Sequence, residues 1–269
     1  MTGRSQRVRS SRLTTNAELL AATSGDAFVR HDLPDPLESP GWSLGTAVIV
    51  PRRTHTRRLG LVVMGQPDDV EQLAADLVDR RFFDDPRLLH ATVDRTAFPA
   101  FAGVVPLTEV GGDWEWMCTS ADPPPVPRED RVVDLDAADE EDIRALLEVA
   151  NARTDARPFE TPGQHWVGVR DADGALVACG VRDETLAGTP ILEGITVRAD
   201  QRGTGLGLAV TARLTREAVR AHGVCTLGMY SDNDVARRLY HGLGYGEDHV
   251  WSSRRLATAT RPAPRNSPR

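Results

Sequence analysis

ILEGITVRADQRGTGLG, residues 191–207, is the stretch from which the fold is read. Its first half is an apolar run with the character of a strand. Its second half is a turn rich in arginine and glycine, and residues 208–222 continue it at helical spacing. Arg202, Gly205 and Gly207 give the order Arg-x-x-Gly-x-Gly. The amides that open a helix have no partner inside it and carry the positive end of its dipole. Glycine lets such a backbone curl and come close to an anion. A strand, this turn and a helix together predict a cradle for a pyrophosphate.

Downstream, the helix from Gly205 to His222 sets Leu206, Val210, Leu214 and Ala218 on one side, and Gly223 stops it. CTLGMY (225–230) reads as a strand, Asn233–Leu243 as a helix, and GYGEDHVWSSRRL (244–256) as a closing strand or strand pair. Upstream, RVVDL (131–135) opens the same domain. Asp136 or Asp139 caps a helix whose apolar face is Ile143, Leu146, Leu147 and Ala150. HWVGVRDADGALVACGV (165–181) is a hairpin turning at Asp171–Gly174. The order β-α-β-β-β-α-β-α-β predicts a mixed sheet flanked by helices, an α/β (α+β) class.

A second pattern follows the first. In SDNDVARRLYHGLGY (231–245), Asn233, Ala236, Leu239, Tyr240, Gly244 and Tyr245 are spaced Asn-x-x-Ala-x-x-Leu-Tyr-x-x-x-Gly-Tyr. With the loop at 202–207 and the strand before it, residues 131–257 resemble the GNAT N-acetyltransferase superfamily. The resemblance implies transfer of acetyl from acetyl-CoA to an amine by direct attack in a ternary complex, without a metal. It implies a pyrophosphate on the amides of Arg202, Gly203, Thr204, Gly205, Leu206, Gly207 and Leu208. The pantetheine arm would pair with Ile195, Thr196 and Val197, and the Val197 amide would polarise the thioester carbonyl.

Tyr240 is the expected general acid for the departing sulfur. The alternative is a packing residue beside Ala236, Leu239 and Leu243. Asn233 orients the pantetheine, caps a helix, or does both. Glu193 is the candidate base acting through a water, or else a structural partner for an arginine. Strict alternation would put Glu193, Ile195 and Val197 on one face. The motifs also suit a catalytically silent acyl-CoA-binding regulatory module, although an intact Tyr240 favours the enzyme. The acceptor, a small-molecule or protein amine, is not encoded in either motif.

The first half, 15–120, reads as a smaller α/β domain. Thr15 or Asn16 caps a helix over Ala17–Arg30; SLGTAVIVP and RRLGLVVMG are strands; a helix covers Asp68–Arg81; LHATVDR and WEWMCTS are further strands. It has no second Arg-x-x-Gly-x-Gly, yet its element order is that of a degenerate copy of half of the second domain. Trp114 and Trp116 share a strand face and serve either as packing, as Trp42 would, or as a pocket wall. ADPPPVPRED (121–130) is the expected linker. Residues 1–14 and 258–269 read as solvated tails.

At 269 residues, 40% hydrophobic and 26% charged, the chain is long enough for two modest domains or one large one, with a buried core. No apolar window is long enough to cross a membrane, and no apolar segment follows the N-terminal arginines as a secretory signal requires. Cys118, Cys179 and Cys225 suit a reducing cytoplasm and neither a disulfide framework nor a zinc site. All 32 basic residues are arginine, as a high-GC bacterial genome would give. The net charge of −7 argues against broad binding to nucleic acid and is compatible with a cationic amine. A homodimer is compatible with the expected two-domain chain.

Overall fold

The computed structural model describes residues 10–53 and 58–257. The first half of the chain holds β1 (Ser11–Leu13), α1 (Asn16–Ala22), α2 (Ala27–Asp32), β2 (Gly41–Leu44), β3 (Ala47–Arg53), β4 (Leu59–Met64), α3 (Pro67–Asp79), β5 (His90–Asp94), α4 (Phe98–Val104) and β6 (Leu107–Thr119). The second half holds β7 (Val133–Leu135), α5 (Glu140–Ala150), β8 (His165–Arg170), β9 (Leu176–Glu184), β10 (Pro190–Val197), α6 (Leu206–His222), β11 (Cys225–Tyr230), α7 (Asp234–Gly242) and β12 (Gly246–Leu256).

Two compact units form, and they divide differently from the expected domains. One comprises Glu38–Gly112 with the described parts of Met1–Thr14 and Ser252–Arg269; the other comprises Thr15–Leu37 and Asp113–Trp251. In the first unit the strands run β1-β2-β3-β4-β5, followed by the end of β12. Helix α3 buries Val70, Leu73, Ala74 and Leu77 in one cluster with Ile49, Leu61, Val63, Ala91 and Val93. In the second unit the order is β12-β6-β11-β10-β9-β8-β7, with the start of β12 and the end of β6. Here α6 turns the expected Leu206, Val210, Leu214 and Ala218 onto Val177, Ala178, Leu192 and Leu227. Helix α5 packs Ile143, Leu146 and Leu147 with Trp166, Cys179 and Val181. Ala178 and Cys179 are neighbours on β9, so α5 and α6 cover opposite faces of the sheet.

The two halves repeat one order of elements. β2-β3-β4-α3-β5-α4-β6 matches β8-β9-β10-α6-β11-α7-β12, and in each a helix joins the parallel pair, β4–β5 or β10–β11. The last strands are exchanged. β6 pairs antiparallel with β11 from Cys225↔Thr119 to Tyr230↔Trp114, whereas β12 lies beside β5. This exchange is why a boundary drawn at residue 120 does not separate the units. The proline-rich segment at 121–130 belongs to the second unit. Arg216 on α6 donates to the carbonyls of Pro123 and Pro124 and pairs with Glu129.

Other local expectations are corrected. The helix drawn over Ala17–Arg30 breaks at Ser24 and Gly25, both at positive φ. Thr15 caps α1 in a reciprocal box with Glu18, and Asp26 caps α2. SLGTAVIVP is two strands, β2 and β3, which turn at Gly45 (φ 56°). Helix α4 was not expected. Ser11–Leu13, read as tail, pairs with β2; the remaining tail residues, 1–9 and 258–269, lie outside the described residues. Among the described residues no helix is long and apolar enough to cross a membrane.

At the far edge of the second unit, charges fasten β7, β8 and α6 together. His165 sits between Asp134 at 3.0 Å and Glu217 at 3.2 Å, and Arg213 reaches both Asp134 and Glu217. The hydrogen bond to Glu217 is the chief influence raising the His165 pKa, and the one from His165 is the chief influence lowering Glu217 to about 2. The raised histidine contributes stability that is complete below its unfolded pKa and fades as the pH climbs through its folded value. The depressed glutamate contributes above its unfolded pKa and fades as the pH falls toward about 2. His165→Gln should therefore remove the loss of stability on the alkaline side of neutral. Urea midpoints measured across that range check this, and an undiminished slope in the variant would refute it.

Candidate functional site

The site begins with an irregularity in β10. Its pairing with β9 runs to Glu193↔Val181 and resumes at Thr196↔Cys179, so one strand carries an extra residue. Gly194 takes φ 62° at this bulge, and a Cβ there would stand 3.0 Å from Ala156 and 3.4 Å from Trp166. The kink is held by a relay. The Asn151 amide donates to Thr196 Oγ1 (3.0 Å), which donates to the Gly194 carbonyl (2.9 Å).

The bulge corrects the expected alternation. Glu193 stands opposite Val181 on the α5 face, whereas Val197 stands opposite Ala178 on the α6 face. Ile195 also turns to the α6 side, where its Cδ1 would contact a Cβ placed on Gly180. Thr196 is buried on the α5 face.

Beyond the bulge the sheet opens. β10 and β11 pair in parallel only at Ile191↔Thr226 and Leu192↔Leu227, while β11 stays paired with β6 as far as Tyr230. From Glu193 onward, the edge of β10 that would meet β11 has parted from it. Backbone groups on such an edge need another partner.

The strand then enters the glycine turn. Gly203 (φ 76°) and Gly205 (φ 89°) are left-handed, and a Cβ on either would meet nothing within 4 Å. Gly205 is the N-cap of α6 and no side-chain cap hydrogen bond is made there, so the first amides of the helix have no side-chain partner. Gly207 lies in the first turn, where a Cβ would stand 3.4 Å from Val197 and 3.9 Å from Leu239. Arg202 turns its guanidinium back onto the protein. It donates to the carbonyls of Val197 (3.3 Å) and Ala150 (3.1 Å), tying the turn to β10 and to the end of α5. The site fits a diphosphate on two counts: uncapped amides, and glycines whose missing side chains leave the approach clear.

Helix α7 stands beside this turn through Leu239. Asn233 caps it, with Oδ1 accepting from the Ala236 amide at 3.1 Å. Tyr240 is buried on the α6 side, its ring 5.9 Å from Tyr245, and burial pushes its pKa up to about 12. Arg237 anchors the helix by pairing with the buried Glu115 of β6 at 2.6 Å. Tyr245 is a core residue that shares a hydrogen bond with Thr215 and donates to Cys225 Sγ. Burial pushes the Cys225 thiol up to about 12, which suits packing and not nucleophilic attack.

On the opposite, α5 face the opening is flanked by Glu193, by the exposed Gly228 and Tyr230, and by half-buried Trp114 opposite Tyr230. Trp116 is core, packed edge-on to Phe28 at 5.4 Å. Sequence reasoning missed the bulge, the relay from Asn151, and Arg153, which lies over Tyr230. A glycine inside a β-branched run was the available signal for the first.

Among the described residues of the first unit there is no second site of this kind. β4 and β5 remain paired from Leu61↔Ala91 to Val63↔Val93, and Gly65 and Gln66 alone lead from β4 into α3. Asp68 and Asp69 occupy the first turn of α3. Hydrogen bonds from the Thr46 amide and hydroxyl lower the pKa of Asp69, so a fixed anion stands where a phosphate would bind. Among the described residues, no group of three or more His, Cys, Asp or Glu could hold a metal ion.

Residues 167–256 match the family described as FR47-like protein. The fold is that of GNAT acetyltransferases. A GCN5-related N-acetyltransferase from Kribbella flavida aligns with TM-score 0.54 at 19% identity, covering 91% of this chain and 96% of that one. One from Sphaerobacter thermophilus aligns with TM-score 0.52 at 17% identity, covering 89% and 84%. No curated protein sequence matches the chain.

The two glycines of the turn should respond differently to a side chain. Gly205→Ala forces a left-handed alanine, at a cost of about 1–2 kcal/mol in stability. Gly207→Val meets no such strain, so its thermal midpoint should fall less while its affinity for CoA drops about tenfold or more. Calorimetric titration with CoA beside thermal melts reads both, and full CoA affinity in Gly207→Val would remove the cradle.

Proposed function

We propose that this chain, which has the GNAT fold, is an acetyl-CoA-dependent N-acetyltransferase acting on a primary amine. The observation that carries this reading is the parting of β10 from β11 after Leu192 and Leu227, directly ahead of an uncapped, glycine-lined helix N-terminus. One edge supplies backbone partners for an extended amide-bearing arm, and the other end supplies amides for its diphosphate.

Bound acetyl-CoA supplies an activated thioester. The amides of Gly203–Leu208 hold the diphosphate, and Ile195, Thr196 and Val197 present the strand edge parted from β11 to the arm. The Val197 amide donates to the thioester oxygen. Glu193, on the α5 face, accepts the proton of the incoming amine through a water. The amine nitrogen bonds to the carbonyl carbon, and the carbon–sulfur bond breaks. Tyr240, on the α6 face, gives its proton to the sulfur, and solvent reprotonates it. A cationic acceptor thus loses two protons, one to Glu193 through the water before attack and one to solvent as the amide forms, while the sulfur gains the one that Tyr240 gives. Asn233 keeps Tyr240 in place by starting α7 correctly. Cytoplasmic location and the dimer stay with this proposal as expectations of the sequence.

Tyr240→Phe should lower kcat at least about tenfold with little change in the Kd for acetyl-CoA. Since the neutral phenol is the acid and burial raises its pKa to about 12, wild-type kcat should show no alkaline loss from Tyr240 up to pH about 10. Steady-state rates across pH with an amine panel test both statements. Tight acetyl-CoA binding without transfer to any amine, unchanged in Tyr240→Phe, would instead mean a silent binding module.

A further inference from the structure

The stretch that follows α5 bridges the two strands where they diverge. Asn151 is bonded to Thr196 on β10. Two residues on, Arg153 lies at the end of β11: its guanidinium carbon stands 3.8 Å from the centre of the Tyr230 ring, and Nη1 reaches Asp232 at 2.8 Å. The Tyr230 hydroxyl donates to the Arg153 carbonyl at 2.9 Å. An aromatic face with a carboxylate beside it is a receptor for a cation. Here the chain's own guanidinium fills it. Arg153 and Asp232 are 59% and 66% exposed in their side chains, so the pair is readily displaced. The neighbouring charges are already committed, with Arg237 held by Glu115 and Asp234. Tyr230 shares the α5 face with Glu193, the side assigned above to the incoming amine.

We propose that Tyr230 and Asp232 form a cation subsite for the acceptor, which Arg153 occupies until a second positive group of the acceptor displaces it. The acceptor class is then an amine carrying another ammonium or guanidinium group a few bonds from the reacting nitrogen. This rests on the N-acetyltransferase reading for the reaction, but not for the binding. A monoamine of equal length, with its one ammonium at the reacting end, leaves only an uncharged methyl end for Tyr230 and Asp232 and competes poorly with Arg153.

The test uses the full chain with putrescine, a diamine, against butylamine. In calorimetric titrations without acetyl-CoA, Arg153→Ala should bind putrescine about fivefold tighter than wild type does, with a smaller gain for butylamine. Adding Asp232→Asn, or Tyr230→Leu, should erase the gain. Unchanged or weaker putrescine binding in Arg153→Ala overturns the subsite, as does an equal gain for butylamine. With acetyl-CoA present, wild-type kcat/KM should favour putrescine, and Asp232→Asn should bring the ratio toward one. Transfer to both amines with equal kcat/KM overturns the subsite and leaves the transferase standing. The predicted binding pattern with no transfer to either amine overturns the transferase and leaves the subsite standing.

Discussion

A parallel pair of strands satisfies itself along its whole length unless something forces it apart. In this chain that something is the bulge at Gly194, fixed by the Asn151–Thr196–Gly194 relay. The extra residue turns β10 away from β11 while β11 remains tied to β6. Unpaired backbone groups are costly when dry, so the opening asks for a partner that brings its own donors and acceptors. The first unit is the internal control. Its β4 and β5 are joined by the same kind of crossover but run without a register shift, and the pair stays closed. Topology alone does not make the opening; one residue in a left-handed conformation does.

The exchange of last strands is how the first half of the sequence comes to matter to the second unit. β6 belongs to the first repeat by sequence, yet its residues 113–119 lie in the second unit. From there Glu115 holds Arg237, and so sets the position of the helix that carries Tyr240. The Arg237 side chain also bonds the Ser231 carbonyl at the turn preceding α7. Glu115 is buried, and its bonds from Arg237 are the leading cause of its lowered pKa. Removing Arg237 would leave the buried Glu115 without its chief partner, a larger loss than the pair's net contribution.

What the sequence made legible was local. The helix face Leu206, Val210, Leu214 and Ala218, the stop at Gly223, the Asp171–Gly174 hairpin turn and the glycine turn itself all follow from spacing and from residues suited to positive φ. Illegible were features that depend on distant partners. No local rule sends β6 to β11, because the pairing joins residues more than a hundred positions apart. The face of Glu193 was misjudged because strict alternation fails at a bulge, although Gly194 in a β-branched run hinted at one. The Ser24–Gly25 dipeptide likewise signals a break that helical spacing alone does not show. Arg202, the residue that names the motif, spends its side chain on carbonyls, a partnership that sequence spacing does not show.

The corrected face of Glu193 changes the chemistry more than it changes the fold. Had Glu193 pointed to the α6 side with Ile195 and Val197, it would share that side with the buried Tyr240. A carboxylate and a phenol close together titrate as a coupled pair, and the phenol's proton would bond the carboxylate in place of a substrate. With the sheet between them, burial alone governs Tyr240 and keeps it protonated far above neutral pH. Glu193 meanwhile faces the side where Tyr230 and Asp232 hold a cation. On the proposed mechanism the two proton transfers are thereby assigned to opposite faces, and the parted strands are where the reacting carbon must sit for both to reach it.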